Sequence, residues 1–162
     1  MRLYFVRHGF ASWPAWTGDD AERPLTADGA RLMAAAAAGL ARRLKRGGEP
    51  APKLILHSPL VRARQTAEIL AGALKLDGRL REHRLLQPGF DPQALKALLR
   101  EHPRAGALML VGHNPDMAEV VGHLADRPVK FKEGTVACLQ LREPDRARLV
   151  WVAAADELAA EK

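Results

Sequence analysis

Short apolar runs alternate along the chain with longer stretches of helical spacing. Leu3–Val6 is aromatic and β-branched and ends in Arg7-His8-Gly9, the pattern of a buried strand running into a loop. The loop continues through Trp13, Trp16 and Gly18 to Arg23-Pro24. Thr26 then reads as the cap of a helix over about 27–45, stopped by Gly47-Gly48. Its alanine run, Ala34–Ala38, is flanked by Leu32, Met33, Leu40 and Leu44, which supply an apolar face, so it reads as a packed helix rather than a linker.

Residues 53–57 form a second apolar run. Ser58-Pro59 after it reads as cap and first helical position of a helix reaching about Leu76. Residues 85–89 read as a connection, with room for a short strand. Asp91-Pro92 repeats the cap-and-proline signal for a helix ending near His102-Pro103. Ala107–Val111 is a third strand, and Gly112-His113-Asn114-Pro115 reads as turn, cap and first-turn proline of a helix reaching about Ala125. Val136–Leu141 and Arg148–Val152 read as two strands of a hairpin about Pro144-Asp145.

Strands alternating with helices predict an α/β chain, a three-layer sandwich around a mostly parallel sheet. No repeat or composition break divides residues 1–162, and 162 residues suit one domain. In such sheets ligands bind beyond the carboxyl ends of the strands. Three strand ends carry polar groups there: Arg7 and His8, then His57 and Ser58 with Arg62 on the following helix, then His113.

Composition narrows the classes. Apolar residues at 48% and charged residues at 27% describe an ordinary globular chain. The single cysteine, Cys138, excludes a disulfide framework and a cysteine-based metal cluster. No apolar run approaches the roughly 20 residues of a membrane span. The apolar run at the start is too short for a signal peptide, so a soluble cytoplasmic domain is expected. The net charge of +6 raises nucleic acid as a partner. The arginines, however, are dispersed and lack aromatic interleaving, so no nucleic-acid partner is expected.

Two arginines and two histidines at strand ends suit phosphoryl chemistry. Guanidinium forks match phosphate oxygens in pairs and offset their charge. A neutral imidazole can attack phosphorus and carry the group covalently. Zinc held by His8, His57 and His113 is the competing chemistry. The motifs offer no carboxylate or thiolate, and two arginines repel a dication, so no metal and no cofactor is expected.

Arg7-His8-Gly9, the run Ser58-Pro59-Leu60-Val61-Arg62-Ala63-Arg64-Gln65-Thr66-Ala67, and Val111-Gly112-His113-Asn114-Pro115 together resemble the histidine phosphatase superfamily, with its phosphoglycerate-mutase-like fold. Within it the chain is most similar to SixA-type phosphohistidine phosphatases. Arg23-Pro24-Leu25-Thr26 and Phe131-x-x-Gly134 add to the likeness, which covers nearly the whole chain.

The resemblance implies His8 as the phosphorylated nucleophile, with Arg7, Arg62 and His113 binding the phosphoryl group. Ser58, Gly9 and Asn114 are expected beside the substrate, and Arg64 at the surface or rim. Phe10 departs from the charged residue many relatives carry there. The general acid of many relatives has one candidate, Glu82; aligning on 86–89 instead places Leu85 at that position, as in the SixA-like proteins. The substrate so implied is a phosphohistidine-bearing protein. The alternatives are a small-molecule phosphomonoesterase on the same site and a non-catalytic phosphate-binding module.

Overall fold

The computed structural model describes residues 1–162. Eleven elements follow in chain order: β1 (Arg2–Arg7), α1 (Ala27–Gly47), β2 (Ile55–His57), α2 (Val61–Leu74), β3 (Leu80–Glu82), α3 (Pro92–Glu101), β4 (Ala107–Gly112), α4 (Asp116–Ala125), β5 (Val136–Glu143), β6 (Arg146–Ala153) and α5 (Ala155–Ala159). The strands form one sheet of order β3-β2-β4-β1-β5-β6. β1 to β4 run parallel, and the β5–β6 hairpin adds two antiparallel strands. This is the expected sandwich.

β1 shows how the layers arise. Alternate side chains leave a strand on opposite faces. Tyr4 and Val6 enter the core shared with α1, α2 and α5; Leu3 and Phe5 enter the core shared with α3 and α4. All four are fully buried, which is why the run lacks polar alternation.

The alanine run of α1 is a packing surface. Met33, Ala36, Ala37, Leu40 and Leu44 form its buried stripe. A β-carbon at Gly39 would lie 1.7 Å from the Leu158 carbonyl oxygen, so small residues let α5 approach the α1 backbone. Thr26 caps α1 by accepting from the Gly29 amide, and Gly48 ends it in the left-handed region at φ 63°.

The structure corrects two predicted helix starts. α2 begins at Val61 with Leu60 at the N-cap, not at Pro59 with Ser58 capping. Ser58 Oγ accepts from the Leu60 amide at 3.2 Å, a local turn that delays the helix. α4 begins at Asp116, and Asn114 does not cap it. The Asn114 side chain is drawn away, donating to the Phe131 carbonyl at 3.0 Å.

Two short elements carry too little pattern to be read. β3 is a three-residue edge strand, two of whose residues are exposed. α5 has five residues in an alanine-rich tail. No helix is long and apolar enough to cross a membrane.

Candidate active site

The carboxyl ends of β1, β2 and β4 meet at one edge, where a cavity of about 250 Å³ opens. Arg7, His8, Arg62, His113 and Asn114 line it; Phe10, Ser12, Arg23 and Glu133 also contribute.

His8 follows the last residue of β1. Its amide donates to the Gly112 carbonyl at 3.0 Å, tying it to the end of β4. Its Nδ1 lies 2.7 Å from the Gly9 carbonyl oxygen. A carbonyl only accepts, so Nδ1 carries the proton and Nε2 keeps its lone pair. Gly9 is itself held, its amide donating to Thr66 Oγ1 on α2 at 3.0 Å.

His113 faces His8, with ring centroids 5.2 Å apart. Burial pushes the His8 pKa down to about 4, against the opposing pull of the Gly9 carbonyl; Arg62 and Arg7 push it further down. Burial, then His8 and Arg62, push His113 down to about 3. Both imidazoles are therefore neutral at pH 7.

Each arginine is fixed by a second layer of contacts. Arg7 donates from Nη1 to the Phe131 carbonyl at 2.9 Å and from Nη2 to Glu133 Oε1 at 3.0 Å. The segment carrying those acceptors is pinned by Gly134. Its amide donates to the Arg7 and His8 carbonyls, and its φ of 74° suits a residue without a side chain. Arg62, buried on the first turn of α2, donates to the Asp20 carbonyl at 2.7 Å and to Asp20 Oδ2 at 3.0 Å. Asp20 also accepts from Arg23 at 3.1 Å. Arg23, then Arg62, hold its carboxyl below the usual carboxylate range, whereas burial lowers the Arg62 pKa. Arg23 in turn donates to the Ala11 carbonyl, and both residues line the cavity.

Sequence reading missed Arg23, Asp20, Glu133 and Thr66. Arg23 and Glu133 lie inside the two supporting motifs, Arg23-Pro24-Leu25-Thr26 and Phe131-x-x-Gly134, which is the signal that could have found them. Thr66 lies inside the Ser58–Ala67 run, though its contact with Gly9 spans 57 positions, and Asp20 becomes relevant only through a contact across 42 positions of chain.

The remaining candidates lie outside the lining. Ser58 is fully buried under His113, with Oγ 2.7 Å from His113 Nε2. His57 is buried, and its Nδ1 donates to the Ser58 carbonyl at 2.8 Å. Glu82 is exposed on β3, paired in register with His57. Trp13 and Trp16 project from the loop that forms one cavity wall. Their indole N–H groups donate to the Pro24 and Asp19 carbonyls. Phe10, Trp13, Trp16 and Leu32 are the exposed large hydrophobic residues of the chain, all within positions 10–32. Phe10 and Leu32 line a second groove of about 370 Å³, which shares Phe10 and Glu133 with the cavity.

A family model described as histidine phosphatase superfamily (branch 1) matches residues 3–89. An uncharacterized protein of Picosynechococcus sp. is 42% identical over 125 residues, covering 74% of this chain and 70% of the relative. The protein histidine phosphatase SixA, solved with tungstate, aligns at a TM-score of 0.83 and 25% identity, covering 98% of this chain and 99% of its own. A protein from Agrobacterium tumefaciens assigned as phosphohistidine phosphatase SixA aligns at 0.79 and 26% identity, over 94% of this chain and 97% of its own. Phosphoglycerate mutase from Bacillus anthracis, at 13% identity and a TM-score of 0.71, shares the fold over 98% of this chain and 95% of its own. The family model spans more than half of the chain, and the motifs behind the expected likeness converge on one cavity: the chain belongs to the histidine phosphatase superfamily, branch 1.

Proposed function

We propose that the protein, a phosphatase by its family, hydrolyses phosphohistidine on a protein substrate through a phosphorylated His8. The observation that carries this reading is the His8 imidazole. Its Nδ1 proton is committed to the Gly9 carbonyl, and its ring stays neutral beside two arginines and a second neutral histidine. A lone pair at Nε2 is thus available at pH 7.

In the first step His8 Nε2 attacks phosphorus and the P–N bond to the substrate imidazole breaks. The departing nitrogen takes a proton from solvent. In the second step water attacks phosphorus and the P–Nε2 bond breaks; phosphate leaves with the proton from water, and the ring returns to its neutral Nδ1–H form. Arg7 and Arg62 offset the charge on the equatorial oxygens, and His113 donates a hydrogen bond. The second-layer contacts hold both guanidinium groups in place, so little reorganisation is needed as charge develops.

Three observations support a protein substrate. The cavity, at about 250 Å³, is sized for a phosphoryl group and one side chain rather than for a whole larger substrate. Exposed Phe10, Trp13 and Trp16 on the adjoining loop provide the kind of rigid aromatic surface enriched in protein interfaces. Two SixA proteins align over nearly the full chain.

A phosphomonoesterase is the second reading, favoured by Glu133. Its carboxylate lines the cavity, where it could serve an alkoxide leaving group. The deciding experiment compares kcat/KM on a phosphohistidine protein with kcat/KM on alkyl phosphates. A preference for the protein of at least about two orders of magnitude, near the gain from one positioned acid, is expected. Comparable values would favour the phosphomonoesterase.

A further inference from the structure

Ser58 lies beneath His113 and does not line the cavity, and its hydrogen bonds bear on which His113 nitrogen carries the proton. His113 is buried, and its two ring nitrogens have different surroundings. Nε2 is 2.7 Å from Ser58 Oγ. Nδ1 is buried with no hydrogen-bond partner in the protein, on a ring that lines the cavity.

A hydroxyl has one hydrogen to donate and two lone pairs. Ser58 Oγ already accepts from the Leu60 amide at 3.2 Å. If His113 donated from Nε2, Ser58 Oγ would accept twice. Its own hydrogen would then be stranded in a fully buried site, because Ser58 Oγ has no other partner. His113 would also present a bare Nδ1 lone pair to an anion. If Ser58 donates to Nε2, the hydroxyl is satisfied and the proton sits on Nδ1. The one unpartnered nitrogen is then a donor, which is what a phosphoryl oxygen requires.

We infer that Ser58 is a positioning residue that fixes His113 as the Nδ1–H tautomer and so makes it a phosphoryl-oxygen donor. The role acts through His113 and involves no contact between Ser58 and substrate. The donor function rests on the proposed phosphatase reading; the tautomer does not. The two histidines then share one protonation pattern, Nδ1–H, for opposite tasks. In His8 it frees Nε2 for attack, and in His113 it supplies a donor.

The test is long-range ¹H–¹⁵N NMR of the protein with labelled histidine at pH 7. His113 is expected to show a protonated Nδ1 and an unprotonated Nε2, and its Nδ1 signal is expected to move on titration with inorganic phosphate. Ser58→Ala is expected to shift His113 towards the Nε2–H form. It is also expected to weaken phosphate binding about tenfold and lower kcat/KM on a phosphohistidine protein by about ten- to a hundredfold. That loss does not exceed the roughly 10²–10³ that removal of one preorganised donor costs, because the variant leaves the His113 donor in place and perturbs only its tautomer. A wild-type His113 protonated at Nε2 overturns the inference whether or not the variant folds. So does a folded Ser58→Ala whose tautomer and phosphate affinity match the wild type. A wild type that shows the Nδ1–H form but lacks phosphohistidine activity supports the tautomer and overturns the substrate reading instead.

Discussion

His8 and His113 stand 5.2 Å apart, ring to ring, across a cavity whose walls also carry Arg7 and Arg62. Their chain positions are 105 residues apart, and adjacent parallel strands deliver them. β1 and β4 pair in register from Arg2 with Ala107 to Arg7 with Gly112, so the next residue on each strand is a histidine. One register thus aligns the proposed nucleophile with the proposed donor.

Removing the nucleophile is the most direct test of the two-step mechanism. His8→Ala is expected to reduce turnover to background while leaving the fold intact. Rapid quenching of the wild type with labelled phosphohistidine protein should trap an acid-labile, base-stable phosphoenzyme. An acid-stable adduct would identify a serine or threonine ester and exclude His8.

Charge stabilisation is assigned to guanidinium groups. Arg62→Lys is expected to lower kcat/KM about a hundredfold, since an ammonium lacks the planar fork. Chelators should leave the wild-type rate unchanged. Loss of activity on chelation with recovery on adding zinc or magnesium would overturn the assignment.

Glu82 lies on an exposed edge strand outside the cavity lining. Glu82→Gln is therefore expected to change the phosphohistidine rate by less than about twofold, against the 10²–10⁴-fold a positioned acid contributes. A hundredfold loss would establish Glu82 as the acid.

The exposed aromatic residues should matter only for a macromolecular substrate. Trp13→Ala and Trp16→Ala are each expected to raise KM for a phosphohistidine protein severalfold and to leave kcat/KM on an aryl phosphate unchanged. Parallel losses on both substrates would mean that the indoles support the cavity wall instead.

The two neutral histidines also tie stability to pH. Their pKa values in the folded protein, about 4 and about 3, lie below the ordinary 6.5. The unfolded chain therefore binds more protons between these limits, and folding stability falls as pH drops from about 6.5 towards 4. Urea unfolding at pH 7.5, 5.5 and 4.5 should show this decline. His113→Asn should show a shallower one. An identical slope in the variant would mean that His113 is not the titrating group.

Much of this architecture is written locally. The unbroken apolar runs of β1 and β4 announce strands buried on both faces, and Thr26, Gly48 and Asp91 mark helix ends by side-chain and backbone preferences that act within a few residues. Arg7, His8, Arg62 and His113 were legible for a related reason. Arg7, His8 and His113 sit at or just beyond strand ends, and Arg62 sits on the first turn of the helix that follows one; parallel connectivity sends those ends to one edge. Other features depend on partners distant in the chain. Ser58 and Asn114 carry the local signature of helix caps, yet Ser58 Oγ lies against His113 Nε2 and the Asn114 amide bonds Phe131. Asp20 has no signal of its own, and only folding sets it against Arg62. Local propensity is decided by a residue and its near neighbours. The contacts that orient Arg7, Arg62 and His113 come from the Glu133 segment, the Asp20 loop and Ser58, and only the closed sheet brings these together.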